Sequence, residues 1–247
     1  MNLLSSQFHI TRRGFTLTET LIAVTILGLA TVGIVAFMRQ GVRMYYADRA
    51  RLMINRDIRS FTSNMDTDAV QSNYFRIYPD FNTRTTGSGS STADAAVSAG
   101  QVGDFVVFVS TDPSQTSQGI SMITRLTGYY REVTNTTTTT DPVTSVVTTT
   151  NSGPVHRFDI DLSASPVNSK SAPMYTILAN AITGSISSYP IVEQLAQDQV
   201  SSTTPRLFFS INNRSVMVNA QIAESLTERG TTSQTGNTYN FSVSPRG

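Results

Sequence analysis

The carboxylate of Glu19 stands just before residues 21–38, an uncharged run that holds no group able to neutralise it. An ionised side chain costs about 2.5–3.5 kcal/mol at mid-membrane and less near the interface, so the chemistry open to Glu19 is charge pairing. Its candidate partners are Arg12 and Arg13, a lipid headgroup, or a positive group on another copy of the chain. The alternative is a Glu that stabilises the first helical turn through the helix dipole. Elsewhere reactive groups are sparse. His9 lies near the start, which leaves His156 for imidazole chemistry. The strand pattern is read as turning His156 away from Phe158, Ile160 and Leu162, as an exposed histidine and not a general base. Asp141, Asp159 and Asp161 could offer oxygens to calcium, but no loop has calcium-motif spacing. There is no cysteine, so thiolate metal sites, disulfides and cysteine nucleophiles are excluded. No phosphate-binding glycine loop or serine elbow is present. No catalytic residue, metal, cofactor or small-molecule substrate is expected.

The element that must carry Glu19 is a membrane helix. Residues 21–38 are 18 in number, at the lower limit for a span, and the apolar character extends back through Phe15 and Leu17. Thr18, Thr20, Thr25 and Thr31 can return their hydroxyls to backbone carbonyls, and Gly28 and Gly33 permit close approach of another helix. Arg12 and Arg13 precede the run with no acid beside them, which keeps that end in the cytoplasm and sends the remainder across the membrane. Charged residues make up 14% of the chain against a globular norm of about 25%. The formal net charge is +1, so no overall field would recruit nucleic acid.

The stretch Arg12-Arg13-Gly14-Phe15-Thr16-Leu17-Thr18-Glu19 resembles the prepilin signature of type IV pilins and type II secretion pseudopilins. The resemblance covers roughly residues 8 to 60. It implies that prepilin peptidase cuts between Gly14 and Phe15 and methylates the new amine of Phe15. It further implies that Glu19, fifth in the mature chain, sets register among other pilin or pseudopilin subunits of a hetero-oligomeric filament. The implied location is the bacterial inner membrane, single-pass with the head outside the cytoplasm, followed by a periplasmic or cell-surface filament. Three departures favour a minor subunit over the bulk one: residues 21–38 lack a proline, no disulfide can close the C-terminal region, and the chain is longer than a typical major subunit.

Beyond the span, Ile54, Ile58, Phe61 and Met65 recur at helical spacing, which predicts a helix to about residue 72. Arg39, Arg43, Arg49, Arg51, Arg56 and Arg59 share this stretch with Asp48 and Asp57. A solvated face with local ion pairs is expected, with lipid headgroups or acidic neighbours as alternatives; the mixed signs do not suit nucleic acid. Tyr45 and Tyr46 fit a membrane interface. The expected layout is a leader at 1–14, a transmembrane and assembly helix at 15–38, an amphipathic continuation at 39–78 and a β-rich head at 79–247. Strands are expected at 105–109, at 120–133 with Gly128 as a bulge, and around Phe158, Ile160 and Leu162. A long polar hairpin is expected at 134–153, turning at Asp141-Pro142. Short helices are expected at 174–181 and 191–197, then strands at 207–211 and 215–222 about an Asn212-Asn213 turn, and a last strand through Tyr239, Phe241 and Val243. The fold class is α+β and pilin-like, a long N-terminal helix packed on an antiparallel sheet of about five to seven strands. Two other readings compete: a singly anchored periplasmic binding protein, and one exported by a twin-arginine signal, neither of which would assemble.

Overall fold

The computed structural model describes residues 15–87, 93–117, 119–140, 142–143, 145, 147–170, 172–182, 189–190, 195–198, 207–228 and 231–246. The expected turn residue Asp141 lies outside them, as do 191–194 of the expected second short helix. The chain divides into two compact units, Met1–Asp48 and Arg49–Gly247.

The first unit contains the start of one long helix, α1 (Leu17–Val70). It is the one described helix long and apolar enough to cross a membrane. Every residue from Phe15 to Tyr46 is exposed. From residue 21 to residue 38 the sequence is uncharged and apolar all round, so this part of the helix has no charged face to show to water. The threonine hydroxyls behave as expected: Thr20 Oγ1 donates to Leu17 O, Thr25 Oγ1 to Ile22 O and Thr31 Oγ1 to Leu27 O, each at 2.8 Å.

The second unit takes the rest of α1 and all the strands. In chain order these are β1 (Tyr74–Tyr78), β2 (Thr85–Thr86), β3 (Ala93–Asp94), β4 (Val102–Gly103), β5 (Phe105–Ser117) and β6 (Ile120–Arg131). Next come β7 (Asn135–Thr140), β8 (Val147–Gly153), β9 (Val155–Asp161), β10 (Val167–Asn168), the helix α2 (Met174–Ile182) and β11 (Tyr189–Pro190). The last are β12 (Leu195–Asp198), β13 (Phe208–Ile211), β14 (Ser215–Glu228) and β15 (Thr231–Val243). They form two large antiparallel sheets and a small ribbon of β2 with β3, more strands than the expected single sheet holds. The first sheet runs β1-β5-β6-β9-β11, with β10 on β6. The second runs β4-β13-β14-β12-β8-β7, with β15 on β14.

The first sheet is buried on both faces, which is why β5 begins with the unbroken apolar run Phe105-Val106-Val107-Phe108-Val109. Val106 and Phe108 join Ile54, Phe61, Met65 and Ala69 of α1 and Phe208, Val216 and Val218 of the second sheet in one core. Phe105, Val107 and Val109 turn the other way, onto Met174, Ile177 and Leu178 of α2. Alternation along a strand thus assigns successive residues to two different cores.

Several expectations need correction. The helix ends at Val70, and residues 74–78 of the expected continuation form β1, paired with β5 inside the head sheet. Residues 195–197 of the expected second short helix lie in strand β12. Gly128 is not at a bulge: its register runs unbroken, and the shifts fall at Ser110/Thr111 and Asp112/Thr116. A Cβ at Gly128 would stand 2.2 Å from the buried Phe158 ring, so glycine is required there to seat that ring. The 135–153 hairpin, helix α2 and the Asn212-Asn213 turn are present; the turn has φ of 48° and 54°, the left-handed pair that suits the strand twist.

Candidate functional site

Arg12, Arg13 and Gly14 lie outside the described residues, so the observable part of the processing motif begins at Phe15, which is 84% exposed. Thr16 sits immediately before α1 and Glu19 is its third helical residue. The Thr16 N–H donates to Glu19 Oε2 at 3.0 Å, and the Glu19 N–H donates to Thr16 Oγ1 at 3.3 Å. Thr16 Oγ1 also donates to Glu19 Oε2 at 3.0 Å. This is a reciprocal capping box, which satisfies amide groups that the first turn leaves without helical partners. Thr16 was not singled out from the sequence, although Thr-x-x-Glu ahead of an apolar run is the pattern that reveals it. Gly28 and Gly33 meet nothing within 4 Å, so a neighbouring backbone would find the space open.

The arginines between 39 and 59 remain on a largely exposed helix. Arg56 Nε lies 3.7 Å from Asp57 Oδ1 with the arginine side chain 74% exposed, an arrangement worth little in water. Tyr45 and Tyr46 meet edge to face at 5.9 Å and are both exposed.

A second constellation lies at the C-terminal end of α1, and of its members only Asp159 is among the residues considered from the sequence. Asp68 is buried and receives Arg157 through both carboxylate oxygens, Nε–Oδ2 at 2.8 Å and Nη2–Oδ1 at 2.9 Å. The Tyr129 hydroxyl donates to the same carboxylate. Burial, then the nearby Asp68 charge, push the Tyr129 phenol far above its ordinary range; hydrogen bonding to Asp68 keeps the Arg157 guanidinium charged. Asp159 is bound by Arg125, with Nε–Oδ1 at 2.7 Å, and lies 3.4 Å from Arg157 Nη2. Arg125 Nη1 donates to Gln71 at 3.0 Å, returning the network to the helix end. The signal was available: Asp68 falls three residues after Met65, on the apolar face, where an acid must be paired.

This network redefines Asp159. Its oxygens are taken by guanidinium groups, and Asp161 accepts the Ser163 N–H at 2.8 Å. Among the described residues no group of three or more His, Asp or Glu is placed to hold a metal. His156 also needs correction, because residues 156 and 158 differ by two and share a face of β9. It stacks on Tyr130 at 5.2 Å, and its Nε2 stands 3.0 Å from Glu132 Oε2. On the same stack Phe81 meets Tyr130 at 4.1 Å and Arg84 lies 5.2 Å above Phe81. Asp104 and Arg131 form a fully buried pair at 2.7 Å, and Asp104 Oδ1 also accepts the Leu207 N–H at 3.0 Å. These charged groups tie the strands to one another and to the end of α1.

Residues 11–35 match the family of the prokaryotic N-terminal methylation motif, the signature of type IV pilins and pseudopilins. No curated protein and no solved structure matches the chain.

Proposed function

We propose that this chain is a structural subunit, a minor pilin or minor pseudopilin, of a type IV pilus or a type II secretion filament. In this reading prepilin peptidase cleaves between Gly14 and Phe15 and methylates the Phe15 amine, with Arg12 and Arg13 holding the leader on the cytoplasmic side. Helix residues 15–38 rest in the inner membrane and then pass into a bundle of other pilin or pseudopilin helices. The second unit lies outside the cytoplasm and reaches a periplasmic or cell-surface filament. The role is assembly and not catalysis.

The observation that carries the reading is that the methylation motif opens a helix exposed at every residue as far as Tyr46. Burying a Leu, Ile or Phe gains about 1.5–3 kcal/mol, so a run this long needs a cover supplied from outside the chain. Lipid is one cover and neighbouring helices are another. Glu19 fits the second as well as the first. Its capping bonds both use Oε2, and cleavage would create a positive amine one residue before Thr16. An unpaired charge inside a helical bundle is strongly disfavoured, so pairing of Glu19 with a neighbour's amine would select one axial offset. Glu19→Val is the test. Insertion in the membrane should persist while filament incorporation falls; normal incorporation would remove Glu19 from the assembly role.

A further inference from the structure

The charges nearest the uncharged run of α1 are placed both in depth and around the helix axis. At about 1.5 Å per residue, residues 21–38 rise about 27 Å, close to the roughly 30 Å of a bilayer's hydrocarbon layer. Arg39 is the next residue, and Arg43 follows about 6 Å further along the axis. A headgroup layer is about 5–7 Å thick, so both arginines fall at its depth. At about 100° per residue, Arg39, Arg43 and Tyr46 lie within about 60° of one another on one face. All three are exposed, as is Tyr45, whose ring meets that of Tyr46 edge to face. From Thr20 to Ala47 there is no acid, and Asp48, the first after Glu19, lies about half a turn round the axis from Arg39.

We propose that Arg39 and Arg43 bind the phosphate of an anionic phospholipid headgroup, with Tyr46 seated beside them at the interface. The proposal rests on the membrane placement given above for residues 15–38. Orientation does not explain these arginines, because in that topology they lie outside the cytoplasm, where the positive-inside bias does not call for them. Their depth favours lipid over an acidic protein surface, since phosphates surround that level of the helix before any other subunit arrives. Guanidinium groups match phosphate oxygens in a fork geometry. Their charge selects the lipid class. Phosphatidylcholine carries an ammonium that offsets its phosphate, whereas phosphatidylglycerol keeps a net negative charge for two positive groups to meet.

The chain has no tryptophan, so Tyr46→Trp places a single indole reporter on this face. The full-length variant is inserted in phosphatidylcholine vesicles that hold a minor share of phosphatidylglycerol, and bromine on the acyl chains of one lipid or the other quenches the indole. Phosphatidylglycerol should be enriched beside the reporter at least about 5-fold over its share of the bilayer. Arg39→Gln combined with Arg43→Gln should return the ratio to that of the bulk mixture, while the Lys pair should keep most of the enrichment. Arg214→Gln, beside the Asn212-Asn213 turn, should leave it unchanged. Sodium chloride should weaken the enrichment by screening, and sodium phosphate at equal ionic strength should weaken it no further. Equal quenching by the two lipids, enrichment that survives the Gln pair, or selective loss to phosphate, which would mark a site for the free anion, would overturn the proposal. Quenching by neither lipid would overturn the membrane placement itself. Neither peptidase nor other subunits are present, so the result is separate from processing and assembly.

Discussion

The two parts of α1 obey the same helical geometry and opposite burial rules. From Leu17 to Tyr46 no residue is buried, whereas Ala50, Ile54, Asp57, Phe61, Met65 and Asp68 are buried at spacings of three and four, with Ala69 buried beside the last. Uniform apolarity across residues 21–38 leaves most of the first part without a preferred face. Periodicity in the second marks the stripe that packs on a sheet from the same chain. One helix therefore answers to two environments, and where the periodic pattern begins the chain supplies its own cover.

This contrast can be broken most strongly at the packed part. Phe61→Ala should destabilise the second unit by about 3–5 kcal/mol, since the ring is fully buried against Tyr129 and Phe241. Leu27→Ala, in the exposed part, should leave that unfolding transition within about 0.5 kcal/mol. Chemical denaturation of the two variants measures the difference. Asp68→Ala leaves the Arg157 guanidinium without its carboxylate and should cost about 3 kcal/mol in the same assay. Gly128→Ala forces a methyl into the Phe158 ring and should cost about 1–3 kcal/mol. A chain starting at Arg49 should fold cooperatively in water, because both cores lie within residues 49–247.

The smallest effect concerns acid. Hydrogen bonding to Arg125 holds the Asp159 carboxyl below its ordinary value, so its contribution is present above about pH 4 and lost as pH falls further. Asp159→Asn should flatten the acid limb of the stability profile slightly, the group being partly exposed. Urea midpoints between pH 2 and 6 would record it.

Much of this architecture is legible in the residues alone. The apolar run, the Ile54-Phe61-Met65 face, the β5 core run and the Asn212-Asn213 turn each announce themselves within a few neighbours. What escapes are features fixed by distant partners. Gly128 looks like a bulge until Phe158 is placed over it, thirty residues on. Asp68 meets Tyr129 and Arg157 across 61 and 89 residues. Leu195–Asp198 becomes a strand because β14 and β8 flank it, against a local pattern that suits a helix. The side of β9 that His156 occupies is local and readable, since residues 156 and 158 have the same parity. At the amino end the capping box is local and readable, being closed between Thr16 and Glu19 within one turn.

An exposed helix that begins at a processed Phe15 and serves assembly must carry its history at its N-terminus. Mass spectrometry of the N-terminus, on protein recovered from membranes of hosts with and without prepilin peptidase, tests it most directly. A start at methylated Phe15 is expected only where the peptidase is present. A start at Met1 in both hosts, or at a residue beyond Met38, would contradict it.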